Sequence, residues 1–219
     1  MIAEKILAFL KNLKPPRVPD GVEVMNPYTQ PDVWKICETF YRKYYSDNNP
    51  RLLMLGINPG RFGGGTTGIP FTDPVKLQQY CGIPNTWQQR AELSADFVYR
   101  VIEQCGGPDV FYRKVYIGAV SPLGFTRSGK NLNYYDDKNL LESITGFCLQ
   151  SLRRQLSFNL RTDCVICLGE GKNFAFLSQL NHEHGFFNEI LSLPHPRFIM
   201  QYKRKQLGEY VTRYVALLS

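Results

Sequence analysis

Nowhere does the chain carry an apolar run long enough to span a bilayer, and its most apolar start, MIAEKILAFLKNLK, is broken by Glu4 and Lys5 and lacks a small-residue cleavage site. That pattern excludes a membrane span and a secretory signal, and leaves an amphipathic surface helix. Cysteine is present six times, at 37, 81, 105, 148, 164 and 167, but no second pair completes a four-thiolate set for zinc or an iron–sulfur cluster. Cys164 and Cys167 form a CxxC inside strand-like TDCVICLG, where a separation of three puts them on opposite faces. Scattered through apolar segments, the thiols read as reduced small hydrophobes of a cytosolic protein. No GxSxG occurs, and Ser121 precedes a proline with no base beside it, which excludes covalent serine hydrolysis. The glycines from 63 to 68 lead into Ile69 and Pro70 rather than Lys and Ser or Thr, so there is no P-loop. Pro59 and Pro70 would also remove donors that a dinucleotide-binding turn presents to phosphate. Internal repeats and biased tracts are missing too.

What is present suits one soluble α/β domain over residues 1–219, with residues 1–21 as an N-terminal helix and connector. Apolar residues make up 43% and charged residues 21% of the chain, ordinary values for a globular protein. Twenty-six Lys and Arg against nineteen Asp and Glu give a net charge of +7, which favours a polyanionic partner or an anionic substrate.

Periodicity divides the chain into alternating elements. A first helix runs to Lys14 before Pro15 and Pro16, RVPDGVEVMNPY connects, and residues 31 to 45 form a second helix. A buried strand over 51 to 57 follows. A short helix from Asp73 to Tyr80 and a long one from Thr86 to Gly106 precede a second strand over 114 to 120, which delivers the loop SPLGFTRSGKNLN. A helix from Leu140 to Leu156, a strand over 164 to 169, a helix from Lys172 to Leu180 and a strand over 189 to 194 come next. A last helix over 202 to 217 buries Leu207, Tyr210, Val211, Tyr214, Val215 and Leu218. Four short apolar strands alternating with helices predict a three-layer α/β/α sandwich around a central, mostly parallel four-stranded sheet.

In such sheets a site forms beyond the carboxyl ends of the strands. The loops after the first, second and fourth strands bring Asn58 to Phe71, Ser121 to Asn133 and His195 to Phe198 to one edge. Asn58, between a strand and Pro59, either orients a water or closes a turn on its own backbone. Phe71 is either a core plug or a platform for a flat ligand. His195, between two prolines, suits a fixed hydrogen-bond donor at a ligand edge. Arg197, Lys203, Arg204 and Lys205 either grip phosphates beside Phe198 or form a solvated helix end. His182 and His184 read as surface residues of a polar loop.

Taken together, GINPGRFGGGTTGIPF, Ser121-Pro122-Leu123 with SGKNL (128 to 132), and His195-Pro196-Arg197 resemble motifs of the uracil-DNA glycosylase superfamily, in its single-strand-selective monofunctional branch. The resemblance runs through residues 22 to 218. It implies that Asn58 positions the attacking water, Phe71 stacks on an extruded base and His195 hydrogen-bonds the departing base. Gly60 and Gly64 would shape the wall near the base's C5 edge, with Phe62, Ser121 and Asn131 completing the pocket. Ser128, Lys130, Arg197, Phe198, Lys203, Arg204 and Lys205 would meet DNA. Ala119 stands where the branch has a base-reading asparagine, which leaves uracil, hypoxanthine and xanthine open, with Asn131 or Asn133 as substitute readers. The closing His-Pro motif is two residues shorter than the branch's form. The implied protein is a monomeric base-excision repair enzyme acting on single- or double-stranded DNA, cytoplasmic or, in a eukaryote, nuclear. It would need no metal or cofactor. A DNA-binding module of the same fold with weak or no turnover is the alternative.

Overall fold

The computed structural model describes residues 1–218. The chain opens with helix α1 (Ile2–Lys11), a short strand β1 (Val22–Met25) and helix α2 (Pro31–Tyr44), then enters β2 (Arg51–Gly56), which is buried along its whole length. After β2 come two short helices, α3 (Gly64–Thr67) and α4 (Pro74–Gln79), then α5 (Leu93–Gln104) and α6 (Pro108–Lys114), which feeds β3 (Val115–Ala119). A hairpin of β4 (Gly124–Arg127) and β5 (Lys130–Leu132) precedes α7 (Lys138–Leu156), β6 (Leu160–Leu168), α8 (Lys172–His184) and β7 (Glu189–Leu193). Helices α9 (Pro196–Tyr202) and α10 (Leu207–Leu218) close the fold.

The main sheet has the order β3-β2-β6-β7 with every pairing parallel. Helices cover both of its faces, so its strands read as near-continuous apolar runs. From β2 the chain moves to β3 on one side and returns to β6 on the other, which puts a topological switch point beside the carboxyl end of β2. Phe9 of α1 meets Phe158, just past α7, at 5.5 Å, and α5 meets α10 through Phe97 and Tyr214 at 4.8 Å. No helix among the described residues is long and apolar enough to cross a membrane.

Several boundaries differ from the sequence expectations, each for a local reason. Helix α1 stops at Lys11 because Asn12 leaves the helical conformation and donates its side-chain amide to Ala8 O at 2.7 Å. The long middle helix begins at Leu93, not Thr86. Glu92 caps it through Ala95 N at 3.1 Å, while the buried Asp73 carboxylate takes both Lys76 N and Glu92 N at 2.8 Å and fixes the intervening segment as loop. Residues expected to be connector and loop instead pair as a second sheet, β1-β4-β5, antiparallel throughout. Its two-residue turn, Ser128-Gly129, has φ of 48° and 68°, the sign that a type I′ hairpin requires. Helix α8 continues to His184, so His182 and His184 occupy its last turn rather than a loop. The HPRF segment enters α9, and the final helix starts at Leu207 with only Tyr214 and Leu218 fully buried.

A cation lies wholly inside. Arg51, the first residue of β2, is 0% exposed. Its guanidinium forms a bidentate pair with Asp47, donates from Nε to Tyr112 O at 3.2 Å and lies 5.5 Å from the Tyr45 ring centroid. Asp47 itself is partly exposed, so removing the guanidinium chiefly leaves Tyr112 O without its donor in the interior. Arg51→Met is expected to lower the unfolding free energy by about 3 kcal/mol in urea titrations. An unchanged midpoint would show that the ion pair contributes little to holding the amino end of β2.

Candidate active site

The carboxyl ends of β2 and β3 and the loop after β7 open onto a cavity of about 110 Å³. Asn58 sits on its wall two residues past β2, and three hydrogen bonds hold its amide. Tyr134 N donates to Asn58 Oδ1 at 3.0 Å, and Asn58 Nδ2 donates to Leu132 O at 3.2 Å and, at 3.4 Å, to Pro59 O. The backbone donor and acceptors fix which end of the amide is oxygen. Oδ1 keeps a second lone pair for a water.

Across the cavity, His195 caps the N-terminus of α9. Its Nδ1 accepts from Arg197 N at 3.2 Å, so in the neutral ring the proton resides on Nε2. Burial, reinforced by the Arg197 charge, pushes the imidazole pKa down from 6.5 to about 4. The ring is therefore a neutral donor at physiological pH. In contact with it, at 5.8 Å between ring centroids, lies Phe71, whose backbone adopts φ 52°, a left-handed conformation that costs a bulky residue about 1 to 3 kcal/mol. Gly56 makes room for that ring, since a Cβ there would come within 2.9 Å of Phe71 Cε2. The strand's last residue is thus small because an aromatic ring lies over it.

Of the other residues singled out in the sequence, Gly60, Gly64, Ala119, Asn131 and Arg197 also line the cavity. Asn131 Oδ1 accepts from Arg61 N at 3.1 Å, which ties the glycine loop to the hairpin. Phe62 and Ser121 are not part of the lining. Phe62 packs against the guanidiniums of Arg61 and Arg90, and the buried Ser121 hydroxyl donates to Leu123 O at 2.8 Å. Ser128 and Lys130 are exposed at the hairpin tip, Phe198 is 45% exposed on α9, and Lys203, Arg204 and Lys205 occupy the turn between α9 and α10. Glu92 and Ser94 on the rim, and Asn133 beside the hairpin, complete the polar lining. Glu92 and Ser94 escaped sequence reasoning because the helix boundary was set before them; the acid at a helix N-terminus was the signal that could have found them. No group of three or more His, Cys, Asp or Glu able to hold a metal occurs among the described residues.

A model of the uracil DNA glycosylase superfamily matches residues 42–219. Single-strand-selective monofunctional uracil-DNA glycosylases of Rattus norvegicus and Bos taurus are 28% and 26% identical over 135 residues, 53% of this chain and 49% and 50% of theirs. The chain thus spans about half the length of the curated relatives it matches. The crystal structure of wild-type SMUG2 from Pedobacter heparinus superposes with a TM-score of 0.96 at 43% identity, over 99% of this chain and 96% of that one. With the family model covering the sheet, the cavity and both of its facing polar residues, the chain belongs to the uracil DNA glycosylase superfamily.

Proposed function

We propose that the protein is a monofunctional DNA glycosylase that flips a deaminated base out of DNA and hydrolyses its N-glycosidic bond. The observation that carries the reading is the pair of fixed polar groups across one cavity: Asn58 with a free lone pair on Oδ1, and His195 as a neutral donor beside the Phe71 ring. A flipped base stacks on Phe71, a contact of the kind that contributes about 1 to 3 kcal/mol. As the bond from C1′ to the base breaks, negative charge develops on the base, and His195 Nε2–H donates to its carbonyl more strongly in the transition state than in the ground state. A water held by Asn58 Oδ1 adds to C1′, leaving an abasic site and the released base. A neutral imidazole suits this task, because with Nδ1 held as an acceptor its single N–H is fixed on Nε2. Among the described residues no lysine lines the cavity to supply an amine for a Schiff base with the sugar, which supports hydrolysis without strand cutting.

The base is the open variable. Ala119 offers a methyl-sized wall where paired hydrogen bonds would read an edge, and its carbonyl is already engaged by Gln155 Nε2 at 3.1 Å. Polar reading passes to Asn131, Asn133, Glu92 and Ser94 around the rim, an arrangement that suits uracil and the deaminated purines hypoxanthine and xanthine alike. Incubation with single- and double-stranded oligonucleotides carrying each base, followed by alkali, tests the proposal. Alkali-labile breaks are expected, and their absence on every substrate would leave a DNA-binding module without turnover.

Three outcomes follow from the geometry. Asn58→Ala removes the water's anchor and is expected to reduce single-turnover excision by about 10² to 10³-fold while leaving DNA binding close to wild type. Because His195 in the free protein titrates near 4 rather than 6.5, kcat/KM is expected to show no break at pH 6.5 and to change only as pH falls toward about 4; an inflection at 6.5 would place a cationic ring in the working enzyme. Ala119→Asn supplies an amide to the pocket wall and is expected to raise the preference for uracil over xanthine by about thirtyfold, the middle of the range for one paired hydrogen-bond contact, as read from competing oligonucleotides.

A further inference from the structure

Between the two cavity-lining glycines Gly60 and Gly63 the loop carries Arg61 and Phe62, neither of which the proposed chemistry uses. The Arg61 guanidinium lies 4.8 Å from the Phe62 ring centroid, and that of Arg90, from the loop before α5, lies 3.7 Å from it. Two cations thus share one ring. Among the described residues no carboxylate pairs with either of them, and Arg61 Nε is buried without a hydrogen-bond partner. The nearest acid along the chain, Glu92, directs its Oε2 to Ala95 N. Like charges gathered on one ring repel each other, and stacking on the ring holds each planar fork while leaving its N–H edges for an acceptor.

Position gives this pair its meaning. Arg61 N donates to Asn131 Oδ1 beside exposed Lys130, and Glu92, two residues after Arg90, is on the cavity rim. Arg197 and the Lys203 to Lys205 turn belong to the α9 side, where His195 sits. The cavity is therefore bordered by positive charge on its glycine-loop side as well as on its α9 side.

We propose that Arg61 and Arg90, stacked on Phe62, form a clamp for backbone phosphates of the DNA strand that delivers the base. Fork-shaped donors match phosphate oxygens in pairs, and a clamp on this rim holds the strand on the side of the base opposite to α9. The inference rests on the reading of the protein as a DNA glycosylase, so the test separates the two.

Binding of wild type to a short single-stranded oligonucleotide carrying a tetrahydrofuran abasic analogue, which cannot turn over, is measured by fluorescence anisotropy from about 50 to 200 mM salt. The double variant Arg61→Gln/Arg90→Gln is expected to bind several-fold more weakly and to flatten the slope of log K against log salt by about 0.7 for each phosphate it no longer neutralises. Arg61→Lys/Arg90→Lys keeps the charges but not the forks, and is expected to restore the slope with only part of the affinity. Arg154→Gln removes an exposed charge from the last turn of α7, at the amino-terminal edge of the sheet, and is expected to behave as wild type. Circular dichroism melting of each variant shows that it is folded. If the folded double glutamine variant matches Arg154→Gln in affinity and slope while wild type still excises base, the clamp is wrong and the glycosylase reading stands. A wild-type protein with no affinity for DNA would overturn both.

Discussion

A strand buried along its whole length has to dispose of the polar groups at its two ends, and the architecture of this protein depends on how β2 does so. At the amino end, Arg51 enters the core and is matched by Asp47 and the Tyr112 carbonyl. At the carboxyl end, Gly56 yields space to Phe71, and Asn58 hands its amide to the backbone leading out of β5. Burial of an unpaired polar group in either place would cost a few kcal/mol. The strand is thereby pinned in position, and the side chains just beyond it inherit that rigidity. An asparagine fixed by three hydrogen bonds is a preorganised polar group on the cavity wall, needing no reorganisation to use its free lone pair.

The second sheet takes its significance from the same contacts. Strands β1 and β4 place Val22 and Phe125 in the core, and the hairpin supplies Leu132 O and Tyr134 N to Asn58 and Asn131 Oδ1 to the glycine loop. A short antiparallel ribbon, turned by Ser128-Gly129, acts as a brace on a loop that would otherwise be free to shift. Loops that carry function are held by a rigid scaffold in many folds. Here the scaffold comes from outside the main sheet.

The alternation of apolar strands with helical patterns made the parallel sheet legible, because a strand buried on both faces is a continuous apolar run whatever its neighbours are. The places of Asn58 and His195 were legible for a related reason: both come two residues past strand ends, which share an edge in a parallel sheet, and Phe71 lies in the loop that leaves the end of β2. The ribbon was not, although Ser-Gly between Arg127 and Lys130 is a two-residue turn signal, since its strands are only four and three residues long. Arg51 was also silent. A charged residue at a strand's start reads as surface unless its partners are known, and Tyr112 lies sixty-one residues away. Glu92 and Ser94 were hidden because their position depends on Asp73, nineteen residues before Glu92, whose carboxylate decides where α5 begins. Long-range polar contacts set these features, and periodicity does not report them.

The state of His195 shows how the charge of the whole molecule and the demands of the site are reconciled. A basic protein attracts a polyanion, while burial, reinforced by the Arg197 charge, disfavours a proton on the His195 imidazole. The two effects serve one end. Positive charge sits on the arginines and lysines around the cavity, while the His195 ring stays neutral and offers a single N–H of fixed direction. Arg197 N, by donating to Nδ1, selects the tautomer, and burial, with the Arg197 charge added to it, holds the ring neutral. The orientation of the ring therefore comes from the backbone of the α9 first turn, and its protonation state chiefly from burial.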